Sequence, residues 1–326
     1  MASFIVRYDL RCPAGTDSYR SELYAAALDQ AAYCETSGFE AIVVSEHHSV
    51  DDGYLPSPLI VAGAIAARTT RIPVVVAALL AALHDPVRMA EDIAVLDHLS
   101  GGRIAYVLGL GYRPEEYSMF GRSWQRRGAL MDSAIETMLA AWTGEPFDHD
   151  GRTVRVTPTP LSRPHPMLLY GGGSVAAVRR AARFGLGFSP QVADDELADR
   201  YRAECRALGR EPGPVAQPAP GPGNVFCATD PDEFWERYGL HLLHDATSYR
   251  EWHTELTSAV LDRSRSVGEM RDAGVYVVWS PEELIERCRN GTIGVVTTHP
   301  LCGGLPPAAG WEVLRLLGDV VIPALG

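Results

Sequence analysis

Lysine is absent from the 326 residues, and all 29 basic side chains are arginine. That usage reads as base composition of the coding DNA rather than as mechanism. Asp and Glu number 41, giving a formal charge of -12, so the chain lacks the positive field that nucleic acid or an anionic membrane would require. Cysteine is sparse too. Cys12, Cys34, Cys205, Cys227, Cys288 and Cys302 form no CxxC pair, no zinc spacing and no compact disulfide framework, so reduced thiols in a reducing compartment are expected. No uncharged apolar run reaches the ~18 residues of a membrane span. The beginning of the chain turns charged at Arg7 after a short apolar run, so no signal peptide is expected. A soluble, cytoplasmic protein is anticipated, and no internal repeat is evident.

What is present is a globular composition, 46% hydrophobic and 21% charged, in which short apolar runs alternate with helical patterns. Strands are expected at 4–8, 41–45, 72–78, 104–109, 167–170, 187–189, 224–228 and 294–298. Helices are expected at 21–37, 57–69, from Pro86 to the Gly101-Gly102 stop, and at 123–142, 174–184, 194–208 and 307–323. The first of these helices carries Leu23, Ala27, Leu28 and Ala31 on one face. Residues 144–156 read as a small hairpin. Residues 211–223 hold five Pro and three Gly and read as a loop or lid. Residues 231–280 read as a helical, aromatic-rich insertion. Eight strand-then-helix units without a composition break predict one α/β domain over 1–326, a (β/α)₈ TIM barrel with insertions. A doubly wound open sheet is the alternative.

In such a barrel the chemistry lies at the carboxyl ends of the strands. Those ends carry Tyr8-Asp9, Glu46-His47-His48, Ala77-Ala78, Gly109-Leu110-Gly111, Gly171-Gly172-Gly173-Ser174, Ser189 and Thr297-Thr298-His299. Successive residues of a strand point to opposite sides, so at most one of His47 and His48 is expected to face the barrel mouth. Three glycines followed by Ser174 at a helix start suit a phosphate, because the backbone can approach closely and the first helical turn offers free N–H groups. An ordinary glycine-rich turn with a serine cap reads equally well from these residues alone. His241 and His244 share a helix face without an accompanying carboxylate at matching spacing, so no metal is expected there.

Several of these segments together resemble a known family. Gly-Phe-Glu-Ala-Ile-Val-Val-Ser-Glu-His-His (38–48) is similar to the second strand and its exit in bacterial luciferase-like flavoproteins. His-Asp-Pro-Val-Arg-Met-Ala-Glu-Asp-Ile-Ala-Val-Leu-Asp-His-Leu-Ser-Gly-Gly-Arg (84–103) resembles that family's third helix. Gly-Leu-Gly-Tyr-Arg-Pro-Glu-Glu-Tyr-Ser-Met-Phe-Gly (109–121), Tyr-Gly-Gly-Gly-Ser (170–174) with its following helix, and the stretch from Trp279 onward continue the likeness. It covers 1–190 well and 225–326 more loosely.

The resemblance implies a monooxygenase that uses reduced FMN and oxygen to oxidise a small organic substrate, with reduced flavin supplied by a separate reductase. A deazaflavin-dependent oxidoreductase and a non-catalytic flavin-binding protein are the alternatives on the same fold. The Glu-His-His exit resembles the FMN branch. Ala77, Ala78, Gly109, Tyr170, Gly171, Gly172, Gly173 and Ser174 are the implied cofactor contacts, with a cis peptide at Ala77-Ala78 and the phosphate at Gly172, Gly173 and Ser174. His47 is the implied acid–base residue. Tyr8, His48 and His299 are the implied substrate contacts. A homodimer is among the implied assemblies, and no metal is. Two departures stand out. Leu110 replaces an arginine expected to meet the flavin phosphate, with Arg113 as the candidate replacement, and Gly109 stands where luciferase has a cysteine, so light emission is not implied. A metal-dependent barrel hydrolase built on Glu46, His47 and His48 is the reading from a different enzyme class.

Overall fold

The computed structural model describes residues 2–13, 17–252, 258 and 261–326. Eleven strands are present among them: β1 (Ser3–Tyr8), β2 (Ala41–Val44), β3 (Val74–Leu79), β4 (Ile104–Leu108), β5 (Phe147–His149), β6 (Arg152–Val154), β7 (Leu168–Gly171), β8 (Gly187–Ser189), β9 (Asn224–Cys227), β10 (Tyr276–Trp279) and β11 (Val295–Thr298). Seven form one parallel sheet in the order β11-β1-β2-β3-β4-β7-β8. Its strands are β-branched and aliphatic because parallel strands are covered on both faces. Ile5 pairs with Ala41 on one side and Thr297 on the other, which seats the last strand beside the first.

β9 and β10 form a separate parallel pair, and β9 lies beside β11. The expected eightfold barrel is thus seen as a seven-stranded parallel sheet plus a neighbouring two-stranded one, without a continuous hydrogen-bonded ring among the described residues. β10 is a correction. Residues 276–279 lie inside the stretch read as helical insertion, yet Tyr-Val-Val-Trp follows the left-handed stop at Gly274 (φ +69°) and takes a strand, as β-branched and aromatic residues favour. The same stretch does contain the long helix Pro231–Trp252. Within the Pro/Gly-rich segment, Val215 bridges to Phe188, so part of the expected loop is pinned to the sheet edge.

Helices cover the outer face of the large sheet. The helix Pro86–Ser100 shows why the sequence signals worked. The Asp85 side chain accepts from the Arg88 N–H at 2.9 Å, Pro86 sits in the first turn, and Gly101 ends the helix at φ +65°. Ser123 does not open the next long helix. Residues 123–126 form turns, a short helix Pro114–Met119 precedes them, and the long helix is Arg127–Ala141. The final helix is divided, with a wider π turn at Leu316–Val321 before Pro323, whose missing N–H cannot continue an α ladder. No helix among the described residues is long and apolar enough to cross a membrane.

Candidate active site

A cavity of about 740 Å³ opens at the carboxyl ends of β1 to β4, β7 and β8. Two different strand exits bring two kinds of chemistry to this cavity: a glycine–serine edge after β7, and a histidine among aromatic rings after β2.

On the first side, Gly171 ends β7 and Ser174 caps the helix Val175–Phe184, accepting the Ala177 N–H at 3.2 Å through Oγ. Gly172 has φ +151°, and a Cβ there would stand 2.9 Å from that of Ala177, so only glycine fits this approach. The cavity wall continues through Ala77 and Ala78, joined by a cis peptide bond as the resemblance implied, and through Gly109. A Cβ on Gly109 would stand 2.7 Å from Ala78 Cβ, so β3 and β4 meet here at glycine distance.

Two arginines flank this edge. Arg180 is committed: its guanidinium pairs with Asp132, donates to Tyr170 Oη at 3.1 Å and to the Gly128 carbonyl at 3.3 Å, and covers the Tyr170 ring. Arg127 lies over the Trp124 ring and donates to the Trp124 carbonyl from Nη1 at 3.0 Å. Both line the cavity. Arg113, the candidate replacement for the cation missing at Leu110, does not. It donates to the carbonyls of His48 and Ser49 and to Glu116, and covers Trp252. The half-buried cations on the glycine side of the cavity are instead Arg127 and Arg180, of which Arg180 is ion-paired with Asp132.

On the second side, His47 lines the cavity and is locked at both ring nitrogens. Nδ1 bonds Glu116 Oε1 at 2.8 Å, and Nε2 meets the Tyr112 hydroxyl at 2.7 Å. A carboxylate accepts, so Nδ1 carries the proton. Burial pushes the Tyr112 phenol well above its usual range, so its O–H donates to Nε2. The imidazole is therefore held as the neutral Nδ1–H tautomer. Burial lowers the His47 pKa below its ordinary value, aided by Arg113 and Arg11, while Glu116 opposes the shift. Tyr54, Trp252 and Tyr112 ring it, with centroids 4.8, 4.9 and 5.2 Å away.

His48 points elsewhere, as the alternation of a strand exit requires. Its Nε2 bonds Glu46 Oε1 at 2.8 Å, and His84 Nε2 bonds the same oxygen at 2.6 Å, while Glu46 Oε2 accepts the Leu80 N–H at 2.7 Å. Burial alone would raise the Glu46 pKa; these three donors outweigh it and hold the carboxylate at about 2. Glu46, His48 and His84 bring ligand-type atoms within 4.8 Å of one another, but the triad named for a hydrolase is not assembled, because His47 belongs to Glu116 instead.

Of the implied substrate contacts, none lines the cavity. Tyr8 faces the helix layer and donates to Gln30 Oε1 at 3.1 Å, His48 is turned to Glu46, and His299 is fully buried against Asp9 at 3.2 Å. Strand parity and burial account for these placements. His241 and His244 bond the Gly303 carbonyl and Asp52 respectively. The six cysteines are free.

Sequence reading missed Arg7, Tyr54, Tyr112, Glu116, Arg127, Tyr249 and Trp252. For Arg7 a signal existed: a charged residue inside the run Phe-Ile-Val-Arg-Tyr must have a reason to be there. Tyr112 and Glu116 lie within 109–121, one of the stretches that carry the resemblance; Tyr54, Arg127, Tyr249 and Trp252 have no such local mark and reach the site through tertiary packing.

The architecture has many counterparts. The monooxygenase RslO1 from Streptomyces bottropensis superposes with a TM-score of 0.76 over 99% of this chain and 100% of that one, at 22% identity. The oxygenating constituent of 3,6-diketocamphane monooxygenase from Pseudomonas putida, solved with FMN, gives 0.71 over 99% of each chain at 19% identity. An F420-dependent secondary alcohol dehydrogenase gives 0.68 over the whole of both chains at 16% identity. In sequence, the uncharacterized protein y4wF of Sinorhizobium fredii is 30% identical over 189 residues, which span 56% of this chain and 55% of that protein. The luciferase-like monooxygenase family model matches residues 7–289, which takes in both sides of the cavity. With that match, the parallel sheet and the paired glycine–serine and histidine edges have one common explanation: the chain belongs to the luciferase-like monooxygenase family.

Proposed function

We propose that the protein is a monooxygenase that binds reduced FMN in this cavity and oxidises a small organic substrate. The observation that carries the reading is that one cavity holds both a glycine-lined helix start and a neutral, doubly anchored imidazole. Gly172, Gly173 and Ser174 suit the phosphate, since a helix N-terminus favours an anion and Ser174 Oγ, accepting from Ala177, has its own O–H to donate. Arg127 supplies the positive charge. Ala77, Ala78 and Gly109 form a side-chain-poor wall against which a flat ring can lie.

When bound, reduced FMN would supply two electrons to oxygen, one oxygen atom passing to the substrate and the other leaving as water. His47 would hold or move the proton. Its Nε2 is the basic nitrogen, Tyr112 is its first hydrogen-bond partner, and Glu116 stabilises the imidazolium formed when Nε2 takes a proton. A separate reductase is the proposed source of reduced flavin, and the cytosol the proposed compartment.

The test is a titration of the purified protein with FMN and, in parallel, with F420, followed by absorbance and fluorescence. Tight binding of FMN with substrate-dependent reoxidation of the reduced form supports the reading. Preference for F420 moves the protein to the deazaflavin branch. Tight flavin binding with no turnover for any substrate leaves it a binding protein.

A further inference from the structure

Arg7 lies on β1, is 7% exposed, and lines the cavity. The carboxylates near it are already engaged: Arg11 pairs with Asp9 at 3.2 Å, Asp52 at 2.9 Å and Asp245 at 3.2 Å. Among the described residues no carboxylate ion-pairs with Arg7 and its Nη1 finds no hydrogen-bond partner, while Nη2 donates to the Tyr249 hydroxyl. A buried guanidinium left in this state is costly unless something accepts from it. Burial disfavours its charge, but the nearby tyrosines and the carboxylates of Asp245 and Asp9 oppose that, and its pKa stays above the ordinary arginine value.

The surroundings restrict what the acceptor is attached to. Tyr249 also shares a hydrogen bond with Tyr54 at 2.9 Å, and the rings of Tyr54, Tyr249 and Trp252 stand at steep angles to one another, 62° to 86°, with centroids 5.5 to 6.5 Å apart. All three line the cavity, next to His47. Rings set edge to face around a space offer both faces and edges to another planar group.

Resting on the flavin reading above, we propose that Arg7 is the counter-ion for an anionic oxygen on an aromatic substrate, and that this pairing selects the substrate class. The oxygen belongs to a phenolate or a carboxylate. Arg7 anchors the substrate at the floor of the cavity, and Tyr54, Tyr249 and Trp252 enclose its ring beside His47. A neutral aliphatic substrate leaves Nη1 unpaired and is disfavoured for that reason.

The experiment uses the whole protein and three probes of similar size: 1-naphthoate, 4-nitrophenol and neutral naphthalene. Each is titrated by calorimetry, and 4-nitrophenol also by the colour of its phenolate. The expected result is that naphthoate or nitrophenolate binds at least tenfold more tightly than naphthalene, with the winner naming the oxygen. If nitrophenol binds as the phenolate, its apparent pKa falls on binding. Arg7→Met is expected to remove the preference for the anion while FMN affinity, measured separately by fluorescence quenching, stays as in the parent protein. Equal binding of anionic and neutral probes to the parent protein overturns the proposal without recourse to any variant, and so does an anion preference that survives in folded Arg7→Met. Anion selectivity in a protein that fails to bind FMN upholds the proposal for the cavity and rejects the flavin reading instead.

Discussion

Glu116 accepts the Nδ1–H of His47 at 2.8 Å although 69 residues separate them in the chain. The same carboxylate oxygen takes the backbone N–H of His48 at 3.0 Å, so one side chain fixes both the ring and the strand exit that carries it. The bond sets the tautomer that leaves Nε2 as the basic atom. A Glu116→Gln protein is expected to keep its FMN affinity and lose roughly 10- to 100-fold in turnover, less than the ~10²–10⁴ expected for His47→Ala. His48→Ala should lose stability through Glu46 rather than the chemical step. Single-turnover reoxidation with substrate, measured beside flavin titrations, checks all three; normal turnover in His47→Ala rejects its acid–base role.

The direction of the His47 shift sets a pH dependence. Its folded pKa lies below the unfolded value of about 6.5. The unfolded chain therefore binds the proton first as pH falls, so the group's contribution to stability is complete above ~6.5 and is lost as pH drops through the lowered value. For activity, the limb that reports a required neutral imidazole should fall below 6.5 in a profile of kcat/KM, and this limb should disappear in His47→Gln.

Glu46 gives a second acid-dependent term. Held at about 2 by His48, His84 and Leu80, it stabilises the fold fully above the ordinary carboxylate range, and that stabilisation is lost as pH falls towards 2. Glu46→Gln should therefore be less stable than the parent at pH 7, by on the order of 3 kcal/mol at most, with the difference narrowing in acid. Denaturant unfolding at several pH values measures the gap; a gap independent of pH contradicts the assignment.

At the proposed phosphate edge, Ser174→Ala should weaken FMN binding by roughly 1–2 kcal/mol and cost the helix about 1 kcal/mol through the lost cap. Arg127→Gln should weaken FMN binding more at low salt than at high salt, and leave riboflavin binding unchanged, since riboflavin has no phosphate. Equilibrium titration of each variant with both ligands separates the effects. An equal loss for both ligands removes Arg127 from the phosphate site.

Gly109→Ala places a methyl group 2.7 Å from the Ala78 Cβ. Neither partner has a flexible end to move, so the β3 and β4 backbones must part. The expected outcome is about 1–3 kcal/mol of destabilisation together with loss of FMN affinity, read by denaturant unfolding and titration.

Much of the architecture was written in short-range patterns. The apolar runs of β1 to β4, the Asp85 cap that bonds a backbone three residues on, the stop at Gly101, and the Ser174 cap on Ala177 all depend on neighbours within one helical turn or one strand. Such interactions leave local marks, and so did the glycines after β7 and the paired histidines. Strand parity allowed at most one of His47 and His48 to face the cavity, and the likeness of 38–48 named His47. That Tyr8, His48 and His299 stand outside the cavity lining came with the fold. So did the bonds of Arg7 to Tyr249, 242 residues apart, and of His47 to Glu116. Hydrogen bonds and ring contacts act over a few ångströms, and only the closing of the sheet brings these distant side chains within that reach.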